Sequence, residues 1–265
     1  MNLSAADLGF VSIENKVILI SGASSGIGRA TVKLLAKAGA KTIAVARNYT
    51  KLKILADEIS ASGHPAPLII QADVGRELAC NAVMAQCLDH FGCLDVLVNN
   101  AAIGFPAEIY RCTTADYERT MATNIDGAFF LTRAALEPMR EKRSGHIIMI
   151  SSDAGTNGSG VAPIYAISKH ALEGLTASLR YQLEGWVAQG IYIRLTNIWP
   201  GTVDSEYWGE RQVPRHTFMS CAEMASFLVQ AIACQPLANI TELRVQQFKH
   251  SDDKIAADWF EKHKR

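Results

Sequence analysis

The chain lacks what several broad classes of protein need. Its 265 residues hold 26 lysines and arginines against 26 aspartates and glutamates, a formal net charge of zero. No basic stripe or tail is present to neutralise phosphates, which argues against nucleic acid or an anionic membrane as partner. No window approaches the ~18 uncharged apolar residues of a transmembrane helix. Met1 to Asn15 carry neither a basic start nor an apolar run, so no secretory leader is expected. The six cysteines, at 80, 87, 93, 112, 221 and 234, include no Cys-x-x-Cys pair, and the seven histidines are scattered. No metal site is expected, and the thiols read as reduced side chains of a cytoplasmic protein. Internal repeats and linkers are missing too.

What is present is an alternation. Short apolar, β-branched runs at Lys16–Ser21, Thr42–Ala46, Leu68–Gln71, Leu94–Val98, His146–Ile150, Ile191–Thr196 and Ile240–Val245 read as buried strands. Helical periodicity fills the gaps. It runs through Arg29–Lys37, through Leu52, Leu55 and Ile59, from Asp73 to about His90, and over Ala115–Lys142 with an irregularity at Gly127. Two more helices are expected over about 162–188 and over Ala222–Ala233. Strand–helix alternation predicts an α/β fold: one Rossmann-type doubly wound domain with about seven parallel strands and helices on both faces. Residues 1–14 read as an N-terminal extension, 200–220 as a loop rich in Trp, Tyr and Pro, and 249–265 as a tail. Ile255, Trp259 and Phe260 are the only large apolar residues of that tail. Ligands of such sheets bind beyond the carboxyl ends of the strands.

Tyr165 and Lys169 stand four residues apart, on the same side of one helix. An ammonium about 4 Å from a phenol, at an effective dielectric of ~20, favours the phenolate by roughly 4 kcal/mol, about three pKa units. That would bring the tyrosine towards neutrality, where it exchanges a proton with an alcohol or carbonyl oxygen. The loop Ser21–Gly28 follows the first strand with the spacing Gly-x-x-x-Gly-x-Gly. Gly22, Gly26 and Gly28 permit a tight turn, and Ser24, Ser25 and Ile27 complete a loop that suits a pyrophosphate on the next helix N-terminus. At the end of the second strand, Ala46 is followed by Arg47, with no acid before Asp57. An acid there would bind a ribose 2′-hydroxyl, whereas a guanidinium suits a 2′-phosphate. The cofactor expected is NADP(H) rather than NAD(H).

Taken together in chain order, these motifs resemble the short-chain dehydrogenase/reductase family over roughly residues 14–247. The family's glycine motif is similar to Ser21–Gly28, with serine in place of threonine. Its Asp-Val pair, bordering the adenine, matches Asp73 and Val74. Its Asn-Asn-Ala-Gly matches Asn99, Asn100, Ala101 and Ala102, alanine replacing the last glycine. Its helix asparagine matches Asn124. Its catalytic serine, thirteen residues before the tyrosine, matches Ser152. Its Pro-Gly after the sixth strand matches Pro200 and Gly201, with Val203 beside the nicotinamide and Ser205 where threonine is frequent.

The resemblance implies that Ser152 donates to a substrate carbonyl and Tyr165 exchanges the proton. Lys169 would lower the tyrosine's pKa and hold the nicotinamide ribose, and Asn124 would hold a water beside Lys169. The implied reaction interconverts a small or medium ketone or aldehyde and its alcohol. A 3-oxoacyl-carrier-protein reductase is an alternative, but the family's Gly-Gly after the last strand is replaced by Gln246 and Gln247. Asn239–Leu243 more closely resembles the NADP-dependent carbonyl reductase and hydroxy-acid dehydrogenase branch. A non-catalytic dinucleotide-sensing relative usually loses the tyrosine or the lysine, and this chain has both. Ile103–Tyr110, Asp153–Ile164 and Pro200–Ser220 are expected to close the substrate pocket, the last as a lid, with Phe105, Trp199, Tyr207 and Trp208 as its aromatic candidates. The resemblance further implies a homodimer or homotetramer, paired through the two long helices.

Overall fold

The computed structural model describes residues 9–209, 215–235 and 238–247. The tail residues Ile255, Trp259 and Phe260 lie outside them, as do residues 1–8 of the N-terminal extension. Seven strands form one parallel sheet: β1 (Val17–Ser21), β2 (Lys41–Ala46), β3 (Leu68–Gln71), β4 (Val96–Asn99), β5 (Ser144–Ile150), β6 (Tyr192–Pro200) and β9 (Glu242–Val245). Their spatial order is β3-β2-β1-β4-β5-β6-β9. Two short strands, β7 (Val203–Asp204) and β8 (Met219–Ser220), pair apart from it. The helices are α1 (Gly26–Lys37), α2 (Tyr49–Ala61), α3 (Glu77–Phe91), α4 (Thr114–Met121), α5 (Gly127–Glu141), α6 (Pro163–Val187) and α7 (Cys221–Ala233).

The strands are apolar on both faces because both faces are covered. Side chains alternate along a strand. Ile18 and Ile20 of β1 therefore join α1, α2 and α7 in one core layer. Val17 and Leu19 join α3, α5 and α6 in the other. Each fully buried leucine or isoleucine of this kind contributes about 1.5–3 kcal/mol. Leu19, Ile43, Leu97 and Ile147 are among them.

Three elements differ from the sequence expectation. The helix expected over 115–142 is two helices joined by a π turn at Ala122–Asp126. Gly127 follows that turn because a Cβ there would sit 2.7 Å from Val74 Cγ2, so a side chain would push the helix off the loop after β3. Strand β6 runs past Thr196 to Pro200, since Asn197–Pro200 pair with Glu242–Val245. Proline is tolerated as the final residue, where the following Gly201 N–H carries the bond to Val245 O at 2.7 Å. The 200–220 segment is partly ordered by the β7–β8 pair rather than being loop throughout.

All six cysteines are free, and among the described residues no helix is long and apolar enough to cross a membrane. One polar group is held deep in the sheet. His146 is buried, with Nε2 2.8 Å from Thr196 Oγ1, and Nδ1 has no partner. Burial, reinforced by the Arg194 charge, holds its pKa well below the ordinary value. The folded state therefore binds fewer protons here than the unfolded chain. Stability from this group is full above ~6.5, the unfolded value, and falls as pH drops below it, by up to about 1.4 kcal/mol per pH unit. Urea titrations at about pH 7.5 and pH 5.5 should show a smaller acid loss for His146→Gln than for wild type; equal losses would remove His146 from the acid response.

Candidate active site

Beyond the carboxyl ends of the strands, β1 and β4 are sheet neighbours although far apart in the chain. The order of connections reverses between them, which is where such sheets open a crevice. Ser21, the last residue of β1, latches the two together. Its Oγ accepts from Asn100 N at 3.0 Å and Ala101 N at 3.1 Å, and donates to Val98 O at 3.3 Å. Asn100 Nδ2 returns a bond to Ser21 O at 2.9 Å. Glycine is needed where these loops meet. Gly22 has φ +67°, and a Cβ on it would lie 2.8 Å from Ala101 Cα. A Cβ on Gly28 would lie 2.5 Å from both Gly22 O and Asn100 Nδ2. The N-cap of α1, Ser25, makes no side-chain cap bond, and the first turn carries no acid. The helix N-terminus thus keeps N–H groups suited to an anion.

A second group gathers between α6 and the end of β5. Pro163 starts α6 at a position where its missing N–H costs nothing. Tyr165 and Lys169 follow on one side of that helix, both buried around their reactive ends. Ser152, just past β5, lines the cavity with Tyr165 and favours its ionised form, and its Oγ accepts from Ala154 N at 3.2 Å. The Tyr165 ring centroid is 5.5 Å from that of Tyr207.

Lys169 Nζ donates to Ile150 O at 2.7 Å and lies 5.6 Å from the Tyr165 ring centroid. Burial raises the tyrosine pKa above its ordinary value, Tyr207 adds to the rise, and Ser152 opposes it. Burial also lowers Lys169 to about 8, with the Glu173 charge acting the other way. Desolvation outweighs the charge effect drawn from spacing alone, because both side chains are enclosed.

A cavity of about 750 Å³ joins the two groups. Gly22, Ser24, Ser25, Gly26, Ile27, Arg47, Asp73, Val74, Asn100, Ala101, Ser152, Tyr165, Lys169, Pro200, Gly201 and Val203 all line it. Two residues expected at the site do not. Gly28 is buried behind Gly22. Asn124, in the π turn, spends its amide on protein: Oδ1 accepts from Ile103 N at 2.8 Å, and Nδ2 donates to Ile103 O and Ser168 Oγ, each at 2.9 Å. It braces the loop after β4 against α6.

At one end of the cavity Arg47 is exposed, and among the described residues no carboxylate pairs with it. Asp73 is turned inward, accepting from Gly75 N at 3.1 Å. At the other end lie Phe105, Tyr207 and Trp208, the Tyr207 and Trp208 rings meeting edge to face at 5.4 Å. Trp199 is not with them. It is 3% exposed, donates to Glu173 Oε1 at 2.9 Å, and is covered by Arg244 at 4.5 Å. A side chain on β6 faces a core layer or the crevice according to parity, which an aromatic count does not reveal. Sequence reasoning missed Arg119, which lines the cavity over the Phe105 ring at 5.0 Å, and Glu173. Glu173 lies four residues after Lys169, the same spacing that marked Tyr165 and Lys169. Near the rim, Lys51 pairs with Glu206, and Arg215 with Asp204 at 2.8 Å.

Comparison with known proteins agrees with this architecture. The family model described as short chain dehydrogenase matches residues 16–215. An uncharacterized oxidoreductase, YxnA, of Bacillus subtilis is 38% identical over 196 residues, 74% of this chain but 54% of that protein, so this chain corresponds to little more than half of it. A sorbitol dehydrogenase of Cereibacter sphaeroides is 34% identical over 74% of this chain and 73% of its own. Among solved structures, a double mutant of a short-chain dehydrogenase/reductase from Serratia marcescens superposes with a TM-score of 0.78 at 28% identity, covering 89% of this chain and 98% of that one. With a family match over three-quarters of its length and the family's fold around one cavity, the chain belongs to the short-chain dehydrogenase family and is an oxidoreductase.

Proposed function

We propose that the protein is an NADP(H)-dependent oxidoreductase that interconverts a small or medium ketone or aldehyde and its alcohol. The observation that carries the reading is that Ser152, Tyr165 and Lys169 line the same cavity as the glycine loop. The residues present fit a dinucleotide. Gly22, Gly26, Ser24 and Ser25 form a cradle at the α1 N-terminus where side chains larger than hydrogen would close the space at Gly22. Asp73 and Val74 border the next stretch of the cavity, and Pro200, Gly201 and Val203 its far wall. The bound cofactor supplies the hydride donor or acceptor.

Arg47 supports NADP(H) over NAD(H). It is an unpaired guanidinium at the end of β2, where an acid would be needed to receive a 2′-hydroxyl. Its planar donors suit a phosphate.

The protein's own residues handle the substrate oxygen. The Ser152 hydroxyl donates a hydrogen bond to it, and Tyr165 Oη delivers the proton in reduction or removes it in oxidation. A buried tyrosine with a raised pKa is held as the acid, ready to donate towards a developing alkoxide. Lys169, near pKa 8, is poised to exchange charge close to neutral pH and holds the cofactor's ribose. Asn124 keeps Ile103 and its loop in place beside Ser168 of α6. Tyr207 and Trp208, in the short turn just after β7, line the cavity with Phe105 and give its substrate side an apolar wall. Similarity to a sorbitol dehydrogenase supports carbonyl–alcohol chemistry. Exposed Tyr117, Phe129, Ile167 and Val187 on α4, α5 and α6 support a homodimer or homotetramer paired through these helices.

Two substitutions test the reading. Tyr165→Phe should keep the fold and NADPH binding, measured by cofactor fluorescence, while turnover of a carbonyl panel falls about 10²- to 10⁴-fold. Retained turnover would take the tyrosine out of the mechanism. Arg47→Asp should lower the ratio of NADPH to NADH kcat/KM by about 10- to 100-fold, the range of a lost charge-assisted hydrogen bond. An unmoved ratio would mean that Arg47 does not read the phosphate.

A further inference from the structure

Lys169 and Glu173 lie one turn apart on α6, and both reach back to the end of β5. Lys169 Nζ holds the Ile150 carbonyl at 2.7 Å, and Glu173 Oε1 accepts from the Ser151 hydroxyl. The two strand residues so grasped lead directly into Ser152. Glu173 also accepts from β6: Trp199 Nε1 at 2.9 Å on Oε1, and Asn197 Nδ2 at 2.7 Å on Oε2. Asn197 and Trp199 alternate along the strand, so they present to one face, just before Pro200 and Gly201. One carboxylate therefore ties together the helix bearing Tyr165, the strand end bearing Ser152, and the strand end leading to the far wall of the cavity.

The residue type matters. The Asn197 NH₂, the Trp199 indole N–H and the Ser151 hydroxyl all donate to Glu173, which takes them on two acceptor oxygens. A glutamine offers only one such oxygen. Charge matters as well, because all three donors are neutral and the buried cation one turn away is Lys169. Other titratable groups line the cavity with Lys169: Arg47, Asp73, Arg119, Asp153, Glu206 and Tyr207, besides Tyr165 on its own helix. The charge that opposes the effect of burial on the lysine is that of Glu173, on its own helix. Glu173 does not line the cavity itself.

We propose that Glu173 is a positioning residue of this active site, fixing Ser152 and the end of β6 against α6 and serving as the counter-charge that keeps Lys169 an ammonium. The proposal rests on the oxidoreductase reading above. The sign follows from burial: Lys169 sits below its ordinary value and loses its proton as pH rises, so removing the opposing negative charge makes that loss occur at lower pH.

The test is the pH profile of kcat with NADPH and a carbonyl that wild type reduces, from about pH 6 to about pH 10, with thermal midpoints in parallel. Glu173→Gln should move the high-pH limb at least about one unit towards acid and lower kcat at pH 7 more than about tenfold. Glu173→Asp keeps the charge but shortens the reach, so its limb should stay at the wild-type position while kcat falls at least about fivefold. Purely structural damage would lower the thermal midpoint and leave the limb in place. A Gln variant with an unmoved limb, or an Asp variant with wild-type kcat, overturns the proposal. If the Gln variant does not fold, the Asp variant decides it. Failure of the underlying reading shows earlier and separately, as a wild type that binds NADPH and reduces no carbonyl, and it overturns this proposal too.

Discussion

Everything at the active edge depends on two strands that end side by side while lying far apart in the chain. Ser21 closes β1 and Asn100 follows β4, and the bonds among their side chains and backbones hold the two loops in contact. Because these loops diverge in opposite directions across the sheet, the crevice opens between them. The contact is so close that Gly22 and Gly28 admit no Cβ without collision. The glycine spacing is therefore as much a packing requirement between β1 and β4 as an opening for phosphate.

The other half of the site is built by a different device. Helix α6 does not merely display Tyr165. It reaches back with Lys169 and Glu173 to grip the last residues of β5, and through Glu173 it also grips β6. Helix and strand ends become one unit, so Ser152 and Tyr165 are carried by elements that cannot drift independently. Precision of this kind is what proton transfer to a developing alkoxide requires. Enclosure has an electrostatic consequence: it weakens the charged forms of both Tyr165 and Lys169, and the counter-charge of Glu173 offsets part of that for the lysine.

The cavity is polarised along its length. Its glycine-loop end offers N–H groups and the free guanidinium of Arg47, which suit an anionic ligand. Its other end is walled by Phe105, Tyr207 and Trp208, with Arg119 over the first of these rings. A ligand that is charged at one end and apolar at its reacting end meets complementary walls throughout.

The sequence by itself determined the sheet and the alternation of strands and helices, and named many of the residues that line the cavity. These are local matters. A β-branched run between glycine turns makes a strand, period 3.6 makes a helix, and loops after parallel strands share one edge whatever the details. Tertiary structure alone decided where individual side chains point. Asn124 turned to Ile103 because a π turn, invisible in the periodicity, rotates it; Trp199 faced inward because β6 continues to pair with β9 beyond Thr196. Lys169 found the Ile150 carbonyl, and Glu173 acquired three donors from residues 22 to 26 positions away. Spacing along a helix says which side chains share a face; which acceptor each one reaches, and whether burial outweighs charge, depends on what packs against that face.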